Sequence, residues 1–127
     1  YLDFISVRDH KKSVTGDIYT HQEYGPVPAH ADEILTALKI GGAIDTEIAS
    51  FKDGELINFT LKDESQFDES VFSTDQKKLL KNICDEFGSW PTEKIVTQTH
   101  LEAPWFYSKP YEIVDYAYAQ DIDFFQK

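Results

Sequence analysis

The run from Thr15 to Pro28 restricts the backbone more heavily than any other part of this chain. It reads Thr15-Gly16-Asp17-Ile18-Tyr19-Thr20-His21-Gln22-Glu23-Tyr24-Gly25-Pro26-Val27-Pro28. Thr15-Gly16 is a turn signal. Gly25 tolerates angles closed to other residues, while Pro26 disfavours the helical region there. Pro28 fixes φ again and can open a following helix. Such a run predicts a rigid connection between two helices, with Tyr19 packed beneath it and its hydroxyl satisfied. Tyr24 keeps two readings open: packing under the turn, or an exposed anchor of the kind that dominates binding interfaces.

The flanks predict the elements that this run connects. Tyr1, Leu2, Phe4 and Ile5 line one side of a short helix, with Asp3 and Arg8 off that side. His10-Lys11-Lys12 places positive charge at its end, where the helix dipole favours it. The chain opens inside this helix, so the N-terminal helix is expected to be incomplete. Ala31, Ile34, Leu35 and Leu38 mark a second helix, with Asp32 and Glu33 in its first turn and Gly41-Gly42 stopping it. Apolar residues then alternate from Ile44 to Ile48 and from Ile57 to Leu61 around Asp53-Gly54, which predicts a β-hairpin over 44–61. Residues 62–70 are polar and read as a surface loop. Ser73 with Gln76 forms a capping box for a helix whose stripe is Leu79, Leu80, Ile83, Cys84 and Phe87, ended by Gly88. Pro91 opens a shorter helix with Ile95, Val96, Thr99 and His100 on one face. Pro104, Trp105 and Pro110 break regular structure, and the tail from Tyr111 to Phe125 reads as a strand and a turn of helix. The predicted fold is α+β: one mainly helical domain, residues 1–127, with a small antiparallel β-hairpin.

Composition narrows the function classes. The 127 residues suffice for one modest core, and no apolar run approaches the roughly 20 residues that span a bilayer. The lone Cys84 cannot form an internal disulfide, which suits a reducing cytoplasm. A soluble cytoplasmic protein is expected. Net charge is −11, from 23 acidic against 12 basic residues, and Arg8 is the sole arginine. Phosphates would be repelled by such a surface, so no direct nucleic-acid partner is predicted. Acidic charge either serves solubility or steers a basic protein partner. Asp63, Glu64, Asp68 and Glu69 concentrate it in one loop, readable as a solvated face or as a docking strip.

No motif demands catalysis. His10, His21, His30 and His100 show no His-x-x-x-His or His-Glu-x-x-His spacing, and a zinc site would need ligands converging from separate elements, such as His21 with His30 and a loop carboxylate. No cofactor or metal is predicted. His100, near Trp105, could act as acid or base, but no nucleophile or orienting carboxylate accompanies it at motif spacing. The favoured role is structural, with the imidazole hydrogen-bonding a backbone carbonyl and locking the turn into Pro104-Trp105. Cys84, on the apolar stripe, reads as a core thiol.

The helical Tyr1-Leu2-Asp3-Phe4, the motif Gly16, Tyr19, Tyr24-Gly25-Pro26-Val27-Pro28, and Thr99-His100-Leu101-Glu102-Ala103-Pro104-Trp105 together resemble the Panacea domain, the SocA-like or GepA-like antitoxin family. The resemblance implies a non-enzymatic antitoxin of a bacterial or phage-borne toxin–antitoxin pair. Its partner would be the cognate toxin, bound directly, with Tyr24, Pro26, Val27 and the acidic loop as contact candidates. Alternatives are an adaptor delivering the toxin to a protease, a small metal-dependent hydrolase using His100 or His21, and a regulator of its own operon. The resemblance names neither the toxin nor an oligomeric state.

Overall fold

The computed structural model describes residues 1–125; the last two residues of the predicted 1–127 domain lie outside them. In chain order the elements are α1 (Leu2–His10), β1 (Tyr19–Gln22), β2 (Gly25–Pro28), α2 (Ala31–Ile40), β3 (Ile44–Phe51), β4 (Gly54–Leu61), α3 (Thr74–Phe87), α4 (Thr92–Leu101) and α5 (Ala103–Phe106). Three 3-10 turns, Glu64–Gln66, Glu69–Val71 and Tyr116–Asp121, complete them. The α+β class is therefore as predicted, mainly helical with antiparallel hairpins. The described chain divides into two compact units, residues 30–71 and the remainder.

The larger unit is built on α1. Phe4 packs with Val114, Ala119 and Ile122, and Tyr19, Tyr116 and Phe124 close around this core. Asp3 is 0% exposed, which corrects its predicted position off the buried side. Its carboxylate accepts from Val14 N (2.7 Å), Thr15 N (2.8 Å), Thr15 Oγ1 (2.5 Å) and Tyr19 Oη (2.7 Å). A buried charge requires such saturation by donors. Arg8 is likewise engaged: Nη1 donates to the carbonyls of Ile122 (3.0 Å) and Phe124 (2.9 Å), and Nη2 to that of Phe125 (2.9 Å). One guanidinium thus fastens the tail to α1.

The run from Thr15 to Pro28 departs from its predicted form. It is a β-hairpin, pairing Tyr19 with Pro28 and Gln22 with Gly25. The tail lies along the other side of β1. His21 N donates to Glu112 O (2.9 Å), Tyr111 N to His21 O (2.9 Å) and Val114 N to Tyr19 O (2.8 Å). Tyr19 and His21 thereby direct their backbone groups away from Pro28 and Pro26, which have no N–H to offer and suit an edge strand. Pro28 ends β2 rather than opening α2, whose N-cap is His30.

The remaining elements of this unit follow local signals with two exceptions. Ser73 and Gln76 form the full capping box of α3. Leu79, Leu80, Ile83 and Phe87 are half-buried, but Cys84 is exposed, so the predicted core thiol is a surface one. Phe87 anchors α3 by packing against Tyr1, Trp90 and Phe124. Pro104 and Trp105 do not break structure; they form the single turn of α5, with Pro104 in its first turn, where a missing N–H costs nothing. The tail makes one β-bridge, Ile113 with Thr20, before the 3-10 turn at Tyr116–Asp121.

In the smaller unit α2 stops at Gly41-Gly42, and β3 and β4 pair from Ile44 with Leu61 to Phe51 with Gly54. The two-residue loop is Lys52-Asp53, one position earlier than the predicted Asp53-Gly54. Ala43 is buried, with its carbonyl accepting from Lys62 N (2.9 Å) and Asp63 N (3.2 Å).

Candidate partner-binding site

Glu23 and Tyr24 form the tip of the β1–β2 hairpin, and side chains from α4 and α5 hold its backbone. Trp105 Nε1 donates to Gln22 O (2.9 Å), and His100 Nε2 donates to Glu23 O (3.0 Å). His100 thus meets a backbone carbonyl, but that of Glu23 on the hairpin tip and not one in the turn into Pro104-Trp105. The Trp105 indole stacks with two imidazoles, His100 at 3.7 Å between centroids and His21 at 4.5 Å. His21 is buried; its Nδ1 is 2.7 Å from Ser108 Oγ, which itself donates to Pro104 O (2.7 Å). With its hydrogen donated to the Pro104 carbonyl, Ser108 Oγ accepts a hydrogen bond from His21 Nδ1–H.

Among the described residues no group of three or more His, Cys, Asp and Glu could hold a metal ion.

β2 approaches α4 so closely that a Cβ on Gly25 would lie 2.9 Å from Thr99 Cγ2. Gly25 also has φ of 141°, which side chains rarely adopt. Between hairpin and α4 lies a pocket of about 280 Å³ whose walls include Tyr24, Pro26, Thr99 and Trp105. Glu102 sits at its base, buried. It accepts from Tyr1 Oη (3.2 Å) and Gln98 Nε2 (3.0 Å) on Oε1, and from Asp123 N (3.2 Å) on Oε2.

Tyr19 and Tyr116 lie under the hairpin. Burial, then the hydrogen bond to Asp3, raises the Tyr19 phenol well above its ordinary range. Burial, then the Asp3 charge, pushes Tyr116 up to about 12. Tyr19 is thus the packed, satisfied tyrosine predicted. Tyr24 is 69% exposed, and Val27 is also exposed. Pro26 is half-buried beside them.

The acidic loop belongs to the smaller unit. Asp63 accepts from Ser65 N (3.1 Å) and Ser65 Oγ (2.6 Å), and Asp68 from Ser70 N (3.0 Å) and Ser70 Oγ (2.6 Å). These bonds, the serine hydroxyls foremost, hold both carboxyls below their ordinary range. Glu64 and Glu69 are exposed on the same turns. The loop is two ordered turns bearing outward charge. Sequence reasoning gave no role to Asp3, Ser108 or Glu102; Asp3 and Glu102 stand within the segments that carry the family resemblance, whereas Ser108 belongs to no motif.

A family model described as "Antitoxin SocA-like, Panacea domain" matches residues 1–106. Comparison with curated proteins and with solved structures gives no match.

Proposed function

The chain belongs to the SocA-like antitoxin family, and we propose that it neutralises a cognate toxin by binding it directly. The observation that carries this reading is the β1–β2 tip, where an exposed Tyr24 and Val27 stand on a backbone pinned by Trp105 and His100. A rigid aromatic anchor loses little conformational entropy on binding and supplies a large contact area. The net charge of −11 favours a basic partner surface and disfavours direct operator contact. Asp63, Glu64, Asp68 and Glu69 supply a second, electrostatic contact that speeds encounter. No step of this reading requires catalysis, and antitoxin membership points to binding. A cytoplasmic site of action accords with it; among the described residues no helix is long and apolar enough to cross a membrane.

A protease-adaptor variant of the same role needs another surface. The β3–β4 face with Ile48, Ile57, Phe59 and Leu61 exposed is the feature that favours it.

Co-expression with the product of the neighbouring gene tests the reading. A complex recovered by pulldown together with restored growth supports it. A folded chain that neither binds nor rescues overturns it. Toxin loss that requires an active protease selects the adaptor variant.

A further inference from the structure

The smaller unit, residues 30–71, is short of buried surface. No residue of β3 or β4 is buried, and Ile48, Ile57, Phe59 and Leu61 share one face of their hairpin, each more than half exposed. A lone two-stranded sheet is marginal in water. Its two edges differ. Lys62 N donates to Ala43 O, so the hydrogen-bonded pairs recur at Asp45 with Thr60, Glu47 with Asn58 and Ala49 with Leu56. On the outer edge of β3, Thr46 N donates to the Asp45 carboxylate (2.9 Å), and Lys39 Nζ of α2 donates to Thr46 Oγ1 (2.6 Å). The outer edge of β4 carries the N–H and C=O groups of Glu55, Ile57, Phe59 and Leu61, to which no hydrogen bond is made among the described residues. We propose that this open edge pairs antiparallel with the β4 edge of a second copy of the chain, joining two hairpins into one continuous sheet.

The strand itself selects that occupant. With the two-fold axis at Asn58, every open residue meets a counterpart of matching direction. Ile57 lies opposite Phe59 of the second copy, Glu55 opposite its Leu61 and, on the other face, Leu56 opposite its Thr60. The Ile57–Phe59 contacts are the aromatic–β-branched kind that stabilises neighbouring strands. Glu55 is the one charged side chain of β4, and this register sends its two copies to opposite ends. The strand pairing therefore opposes no like charges, although each chain carries −11. A basic partner finds little to recognise on so uncharged a strand. Free edges are ordinarily guarded by lysine, proline or a bulge; β4 has none of these over Gly54–Leu61. The inference does not depend on the antitoxin reading.

Sedimentation equilibrium of the full chain should show a monomer–dimer equilibrium that tightens as salt screens the acidic surface. Ile57→Pro removes an N–H that the β3–β4 ladder does not use, and should weaken the dimer by roughly tenfold or more, with circular dichroism to verify folding. Phe59→Lys places a charge opposite Ile57 and should act in the same direction, so the comparison holds even where the proline variant fails to fold. Cross-linking reads the register. In a Cys84→Ser background, Asn58→Cys would lie about 4.5 Å from its mate between Cα atoms and should form an interchain disulfide on oxidation. Thr60→Cys, at another exposed position on the same face, would lie beyond the roughly 7 Å that a disulfide bridges. A chain that stays monomeric up to about 1 mM, where even weak dimers are populated, overturns the inference. So does a dimer that the folded variants leave intact, a dimer that salt weakens, or equal cross-linking at positions 58 and 60.

Discussion

The Tyr19 hydroxyl donates a 2.7 Å hydrogen bond to the fully buried carboxylate of Asp3. This contact ties α1 to β1. Thr15, through its amide and hydroxyl, binds the same carboxylate, so turn and strand are fixed by one acidic side chain. Asp3→Ala leaves those buried donors without an acceptor. It is expected to cost about 3–5 kcal/mol in chemical denaturation. A loss under about 1 kcal/mol would show that the network contributes little net stability.

Alkaline pH should weaken the same region. Tyr116 is pushed up to about 12, and Tyr19 is raised in the same direction, both above the ordinary phenol value near 10. A folded-state pKa above the unfolded one favours the protonated phenol in the native protein. The resulting stability is fully present below about pH 10 and is lost as pH rises through about 12. Tyrosinate absorbance should therefore rise late and together with unfolding. In Asp3→Asn the removal of negative charge should bring Tyr116 ionisation to lower pH, provided the variant is folded.

Trp105→Phe retains an aromatic ring against His21 and His100 but removes the donor to Gln22 O. A stability loss of about 1–2 kcal/mol is expected, with faster amide exchange at the hairpin tip. Unchanged exchange at Tyr24 and Gly25 would mean that the tip is held by strand pairing alone.

Gly25→Ala combines an unfavourable φ with the 2.9 Å approach to Thr99 Cγ2. About 1–3 kcal/mol should be lost. Adding Thr99→Ser, which removes that methyl, should recover the steric part and leave the backbone part. No recovery would place the whole cost in φ.

Tyr24→Ala separates binding from folding. At a site 69% exposed, stability should change by no more than about 0.5 kcal/mol. Toxin binding, measured by titration calorimetry, should weaken by roughly tenfold or more. Equal affinity for both proteins would remove the hairpin tip from the interface.

Several elements were legible because their signals are local. The capping box of Ser73 and Gln76, the glycine stop after α2 and the alternation across β3 and β4 each depend on residues within a few positions of one another. The pairing of Tyr19, Tyr24-Gly25-Pro26 and His100 to Trp105 likewise sufficed to identify the family. The hairpin form of Thr15–Pro28 was hidden, since prolines at 26 and 28 argue against a strand unless that strand lies at an edge. Whether it does depends on where residues 111–114 pair. Cys84 has helical spacing suited to burial, but the width of the buried face on α3 is set by its neighbours.

The sequence by itself determined the class of fold, the helix boundaries marked by caps and glycines, the acidic balance and the family. Tertiary structure alone decided that Asp3 is buried, that Arg8 holds carbonyls more than a hundred positions away, and that Tyr24 is outward while Tyr19 is inward. The reason is physical. Helix and turn propensities act over a few residues, whereas burying a charge or opening an edge depends on which distant donors and strands arrive beside it.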